Sequence, residues 1–319
     1  MPIILSLLFI TGLFVSAILG ANNASACFGA NIGAGFVRYK TAAILAALGV
    51  FLGVIIEGTK LSRAVYHGVL GEVSMEAMMV IMVTAIIIIG AATILRLPLS
   101  LSESLIGSAV GIGIGSQIDV NWRFTLMVFA FWVINPFFSA ILSVTIYRAL
   151  SYITPRVKNV LTLNYIYGKI ASALSFYVAY VLGANTLGLI SGIYAPFIPI
   201  RDISPLLFGL AAAFGMYFLS RRITESVGRG IIGLSPVTAL VSQLSGAITV
   251  HLFTQFGLPL SITQAQIGGI LGIGIAKKIV FMNKRKSRNI IVGWIVAPLA
   301  GATISWLLSH MIQSSILLF

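Results

Sequence analysis

Apolar residues in this chain come in runs far longer than a soluble helix needs. Met78 to Ala92 and Ile290 to Leu308 each contain few polar side chains and no charged one. A helix needs about 20 residues to cross the hydrocarbon core of a bilayer. The 319 residues therefore allow roughly eight to eleven spans or part-spans. The pattern predicts an all-α integral membrane protein with little left over for a soluble domain. Composition agrees, because 59% of residues are hydrophobic and 8% are charged. Soluble proteins carry about 25% charged residues, so lipid must replace water as the main solvent.

The net charge of +13 belongs to that picture. Basic residues fall between apolar segments, where the positive-inside rule places them, and this argues against nucleic-acid binding. Residues 3–19 are apolar, and Ala24-Ser25-Ala26-Cys27 has some likeness to a cleavage or lipobox site. No Lys or Arg precedes Arg38, so the basic start of a signal peptide is missing and an uncleaved first helix is expected. Cys27 is the one cysteine, so no intrachain disulfide forms. His67, His251 and His310 are scattered without metal-ligand spacing, and neither a metal nor another cofactor is expected.

Two passages echo each other. Leu97-Pro98-Leu99-Ser100-Leu101-Ser102-Glu103 continues to the glycines at 107, 111 and 113. Leu258-Pro259-Leu260-Ser261-Ile262-Thr263-Gln264 continues to those at 268, 272 and 274. Gly20-Ala21-Asn22 likewise recurs as Gly183-Ala184-Asn185. Matches at nearly one spacing predict two homologous membrane repeats, 1–160 and 161–319. The second LPLS passage leads to a basic loop holding Lys277, Lys278, Lys284, Arg285, Lys286 and Arg288. The first leads only to Asp119 and Arg123. Loop 277–288 should thus be cytoplasmic and loop 116–123 should not. Equivalent loops on opposite sides make the repeats inverted in topology, a build common in secondary transporters.

Each half also has polar, Gly-rich segments, at 20–35 and 97–115 in the first and at 183–196 and 258–276 in the second. Ordinary small-residue helix packing explains their glycines but not the hydroxyls and amides at matching places. A broken or re-entrant helix in each half, with irregular backbone lining a cavity, explains both. A site built from the two halves would hold Asn22, Asn23, Ser25, Ser100, Ser102, Asn185, Ser191, Ser261, Thr263 and Gln264, all neutral groups able to donate hydrogen bonds. Helix starts near Pro98 and Pro259 would add backbone N–H groups and positive dipole ends. Such a site suits an anion. Arg96 could add charge there, or it snorkels to the interface. Most acids, Glu57 among them, lie near predicted span ends and read as solvated. Glu103 sits inside the first segment, opposite its neutral isostere Gln264, and an intramembrane carboxyl reads as functional.

At these residues the chain resembles the inorganic phosphate transporter family, whose members move tetrahedral oxyanions by secondary transport. Gly20-Ala21-Asn22-Asn23 and Gly183-Ala184-Asn185-Thr186 are similar to that family's paired G-A-N-D motifs. Residues 97–103 and 258–264 are similar to its paired L-P-x-S motifs, and Ser235-Pro236 with 244–247 resembles the span before the second. The departures carry information. The family's aspartates, associated there with sodium coupling, are Asn23 and Thr186 here. A usual glutamate reads as Gln243, with Val50 as its first-half partner. Hard cations prefer carboxylate or carbonyl oxygens, so this pattern disfavours sodium. The Ser-x-Ser-Glu ending of the first motif resembles the family's bacterial sulfate permease branch.

The physical chemistry leans the same way. Phosphate carries a proton near neutral pH and can donate to a carboxylate, whereas sulfate can only accept. A donor-rich site without the usual carboxylates suits sulfate. Glu103 would donate to it when protonated and repel it when ionised, which makes a proton the expected coupling ion, with Glu103, Asn23 and Gln243 the candidate coupling positions. The expected protein is a multi-pass permease of the plasma membrane for sulfate or phosphate, and transporters of this sort often form homo-oligomers. A sodium- or proton-coupled phosphate transporter and a passive anion channel remain open. An enzyme is disfavoured because no catalytic constellation converges. The chain has no nucleotide-binding loop of its own to make it a pump.

Overall fold

The computed structural model describes residues 2–61, 68–71, 73–95, 99–153, 159–194, 203–230, 235–278 and 284–316. They form twelve α-helices: α1 Pro2–Gly33, α2 Tyr39–Glu57, α3 Met75–Ile94, α4 Leu101–Gly115, α5 Trp122–Ile153, α6 Val160–Leu182, α7 Gly188–Tyr194, α8 Ile203–Phe214, α9 Arg221–Gly230, α10 Pro236–Gln255, α11 Ile262–Lys277 and α12 Lys284–Ile316. A π-helical turn, Gly183–Leu187, joins α6 to α7, and another, Gly215–Leu219, extends α8. Among the described residues, seven helices or helix runs are long and apolar enough to cross a membrane, while Leu101–Gly115 and Ile203–Leu219 are shorter apolar segments.

Some helix boundaries recur along the chain at a fixed offset. α3 begins at Met75 and α10 at Pro236, 161 residues later, and their ends at Ile94 and Gln255 keep the same offset. α4 and α11 follow at Leu101 and Ile262. This register sets Gln243 of α10 opposite Met82 of α3. Val50, on α2, is therefore not its partner.

Packing crosses between the halves. α1, α2, α6 and α8 form the centre. On one flank α3 and α4 pack with α12 of the second half, and on the other α10 and α11 pack with α5 of the first. Glycines permit this. A Cβ at Gly107 would overlap the backbone carbonyl of Pro298, and one at Gly268 would overlap that of Pro136. Pro136 and Pro298 lie inside α5 and α12. The two short helices thus ride on proline-bearing helices at equivalent points. Outer faces are apolar and exposed, as at Phe137, Ile141, Ile295 and Leu299, which suits lipid.

Two expectations need correction. Residues 20–33 are regular α-helix, so the first half keeps no irregular backbone there. In the second half the Gly-Ala-Asn motif does depart from the α-helix, as the π turn at Gly183–Leu187. In addition, Pro259 does not open a helix. α11 starts at Ile262 behind Ser261, because the Ser261 side chain supplies the cap.

Candidate functional site

α4 and α11 begin in the same way. Ser100 (φ −88°, ψ 118°) accepts from the Glu103 N–H, and Ser261 (φ −86°, ψ 115°) accepts from the Gln264 N–H. The capping distances are 3.4 and 3.3 Å. A serine cap satisfies one of the four free N–H groups at a helix start. Others still point out along the axis with the positive end of the dipole. Pro98 and Arg96 lie outside the described residues.

These starts meet the Asn motifs. Ser102 Oγ donates to Thr186 Oγ1 at 3.3 Å, and Asn185 Nδ2 donates to the Leu258 carbonyl at 3.1 Å and to Thr254 Oγ1 at 2.8 Å. In the first half Asn22 Nδ2 donates to Thr93 Oγ1 at 3.0 Å, the same bond 161 residues earlier on the threonine side. Both threonines return their hydroxyl to the carbonyl four residues back, Ile89 and Val250, at 2.7 Å. Each Asn motif is therefore clamped to the end of the helix before the short segment.

Glu103 stands where the two starts converge. It is fully buried, the Ser100 and Ser261 side chains bear on its carboxyl, and neither carboxyl oxygen completes a hydrogen bond. Ionised, the group can only accept; protonated, it can donate. Its counterpart Gln264 is held differently, since Asn135 of α5 donates to Gln264 Oε1 at 3.4 Å and to the Ser261 carbonyl at 2.9 Å. The equivalent residue on α12 is Ala297, which offers Glu103 no such donor.

The remaining predicted residues are all buried, Asn23, Ser25, Ser191, Thr263 and Gln243 included, but they are not all drawn into one constellation. Ser25 donates to the Asn22 carbonyl, Ser191 to that of Leu187, and Asn23 to that of Leu19, each within its own helix run. Gln243 Nε2 donates to the Cys27 carbonyl at 3.1 Å, tying α10 to α1. Asn185 Oδ1 and Gln243 Oε1 are buried acceptors without a partner. The described residues contain no group of three or more His, Cys, Asp or Glu placed to hold a metal.

Sequence reasoning missed Asn135, Thr93 and Thr254. Asn135 was detectable as a lone amide inside the apolar stretch 122–153, and the threonines as an offset-matched pair. It also read Glu57 as solvated. Instead Glu57 accepts from Tyr180 Oη at 2.8 Å, from Gln255 Nε2 at 2.8 Å and from Lys60 Nζ at 3.0 Å, with His251 Nε2 at 3.1 Å.

A bundle of apolar helices long enough to cross a bilayer, packed around a buried meeting of capped helix starts, defines a multi-pass membrane protein. The phosphate transporter family's sequence profile matches residues 19–305, and the chain belongs to that family. A Methanocaldococcus jannaschii protein, named provisionally as a phosphate permease, is 27% identical over 97% of this chain and 98% of its own length. The sulfate permease CysP of Bacillus subtilis is 29% identical over 93% of this chain and 84% of its own. The solved structure of a sodium-dependent phosphate transporter superposes with a TM-score of 0.80 at 21% identity, covering 96% of this chain and 99% of that one. At that identity the likeness establishes the fold.

Proposed function

We propose that this chain is a secondary active permease that carries a tetrahedral oxyanion, sulfate in preference to phosphate, by proton-coupled alternating access. The observation that carries the reading is the convergence of the Ser100 and Ser261 helix caps beside Glu103. Two helix starts offer N–H donors and dipole ends to an anion with no fixed cation to hold it too tightly. Ser102, Asn22, Ser25, Asn185, Ser191, Thr263 and Gln264 complete the proposed lining. Glu103 is assigned the coupling proton: protonated it donates to sulfate, and deprotonated it expels it.

Each half supplies five membrane segments, α1 to α5 in the first and α6 with its extension, α8, α10, α11 and α12 in the second, the short polar α9 not being one of them. An odd number inverts the second half relative to the first, which supports the inverted repeat, and the basic residues of loop 277–288 support a cytoplasmic position for it in a plasma-membrane protein. α4, with 15 residues, extends about 22 Å and falls short of a full crossing, as a helix starting at mid-membrane would.

A specific observation favours a second reading. The unpartnered Glu103 oxygens, with Asn185 Oδ1 and Gln243 Oε1, are acceptors. Protonated phosphate would supply donors to them, whereas sulfate would not. Amide oxygens are also acceptable ligands for sodium, the ion named for the solved relative.

Reconstituted uptake decides between these readings. Labelled sulfate and phosphate are each offered to proteoliposomes under a proton or a sodium gradient, with the other anion as competitor. Sulfate accumulation driven by the proton gradient and only weakly inhibited by phosphate is expected. Sodium-driven phosphate accumulation would replace the first reading by the second, and equilibration without accumulation under either gradient would indicate a channel.

A further inference from the structure

Glu57, at the end of α2, binds groups from two other helices. Tyr180 belongs to α6, His251 and Gln255 to α10, and Lys60 follows α2. The same Lys60 also donates to Gln255 Oε1. On its far side the His251 ring meets Tyr177 Oη of α6 through Nδ1 at 2.9 Å. The imidazole is thus threaded between a phenol and a carboxylate, with His251 and Glu57 side chains 24% and 16% exposed. The pair is part-exposed at the surface, unlike Glu103. Glu57, Lys60, Tyr177, Tyr180 and His251 are the ionisable groups of this cluster. α5 and α11 also pack on α10, and in the ring contacts around Phe253 α5 contributes Phe131 and Phe138.

The cluster has no counterpart in the other half. The residue matching His251 at the helix offset is Gly90, and those matching Tyr177 and Tyr180 are Phe14 and Ala17. It joins the flank holding α10 to the central helices at one end of the molecule only. The stretch of α10 and its exit that holds His251 and Gln255 also holds Thr254 and Leu258, the partners of Asn185.

We propose that Glu57 and His251 form a second proton-binding site, in which a proton on the imidazole turns a hydrogen-bonded contact into an ion pair and clasps α10 to α2 and α6. With His251 neutral, Nε2–H donates to Glu57 and Nδ1 accepts from Tyr177. With His251 protonated, Nε2–H still donates to Glu57, Nδ1–H donates in turn to Tyr177 Oη, and one positive charge is added beside the carboxylate. A protonated imidazole here faces a carboxylate that is already charged, so acid tightens the clasp and base loosens it. Lys60 already lies on the same carboxylate, but it is exposed and screened. The consequence is conformational: the stretch that sets Asn185 is held more firmly on the acidic side. The inference does not depend on which anion is carried or on the role of Glu103.

Hydrogen–deuterium exchange of the full-length protein in nanodiscs tests it, at about pH 5.5 and about pH 8, with intrinsic rates corrected. Residues 251–258 are expected to exchange about threefold to fivefold more slowly at the acidic pH, the size of one partly buried ion pair. His251→Gln and Glu57→Gln should each abolish that difference while leaving exchange in α4 and α12 unaltered. If one of these variants does not fold, the other decides. No pH difference in the unaltered protein overturns the proposal. So does a difference that survives in His251→Gln, which would leave the cluster a packing contact alone.

Discussion

The Ser102 hydroxyl donates to Thr186 Oγ1 at 3.3 Å, so the first turn of α4 touches the π turn that carries the second Asn motif. A residue of one half is thereby set against the motif of the other. The proposed site belongs to neither half alone, and changes on either side should act on the same transport step.

Glu103→Gln removes the ionisable group and keeps its shape. Accumulation driven by a pH gradient is expected to disappear, while exchange of labelled anion across the membrane persists. Paired accumulation and counterflow assays check this. Unchanged pH-driven accumulation would remove Glu103 from the coupling mechanism.

Ser261→Ala removes the α11 cap and is expected to cost about 1 kcal/mol of stability, read as a lowered melting temperature in detergent. Ser261→Asp retains a capping oxygen but places a negative charge at the helix start. It should melt near the unaltered protein and lose anion uptake. That split separates a structural cap from an anion site.

Asn135→Leu strips the Ser261 carbonyl and Gln264 Oε1 of the donor they share. An orphaned buried acceptor costs about 1–3 kcal/mol. Melting should fall accordingly. Asn135→Gln, one methylene longer in a packed interior, should not restore it.

Gly268→Ala drives a methyl group into the Pro136 carbonyl, and Gly107→Ala drives one into that of Pro298. Overpacking of this kind costs about 1–3 kcal/mol. Similar losses are expected for the two variants, because the contacts are equivalent. A large loss at one and none at the other, in thermal melting, would contradict the equivalence of the flanks.

Much of the architecture was legible in the residues. The apolar runs marked the spans, and the LPLS passages located the short helices because serine caps and glycine contacts are local properties. The Gly-Ala-Asn motifs pointed to buried amides. What could not be read was the exchange of last helices between flanks, since Gly107–Pro298 and Gly268–Pro136 are long-range contacts that leave no periodic trace. Asn135 stands out as a lone amide in an apolar stretch, but which groups it serves was not legible, because they lie more than a hundred residues away. Glu57 looked solvated because position along a span reports depth and not neighbours. His251 and Tyr180 reach it only after α2, α6 and α10 pack together. Val50 was paired with Gln243 by motif likeness, whereas the helix register selects Met82.

The most direct test of the central claim is the position of the bound anion. Selenate, a tetrahedral analogue of sulfate with a strong anomalous signal, is soaked into crystals of the protein. An anomalous peak between residues 100–103 and 261–264, within hydrogen-bond reach of the two capped helix starts, is predicted. A peak elsewhere in the membrane region, with these helix starts empty in a protein that transports the anion, would contradict the account.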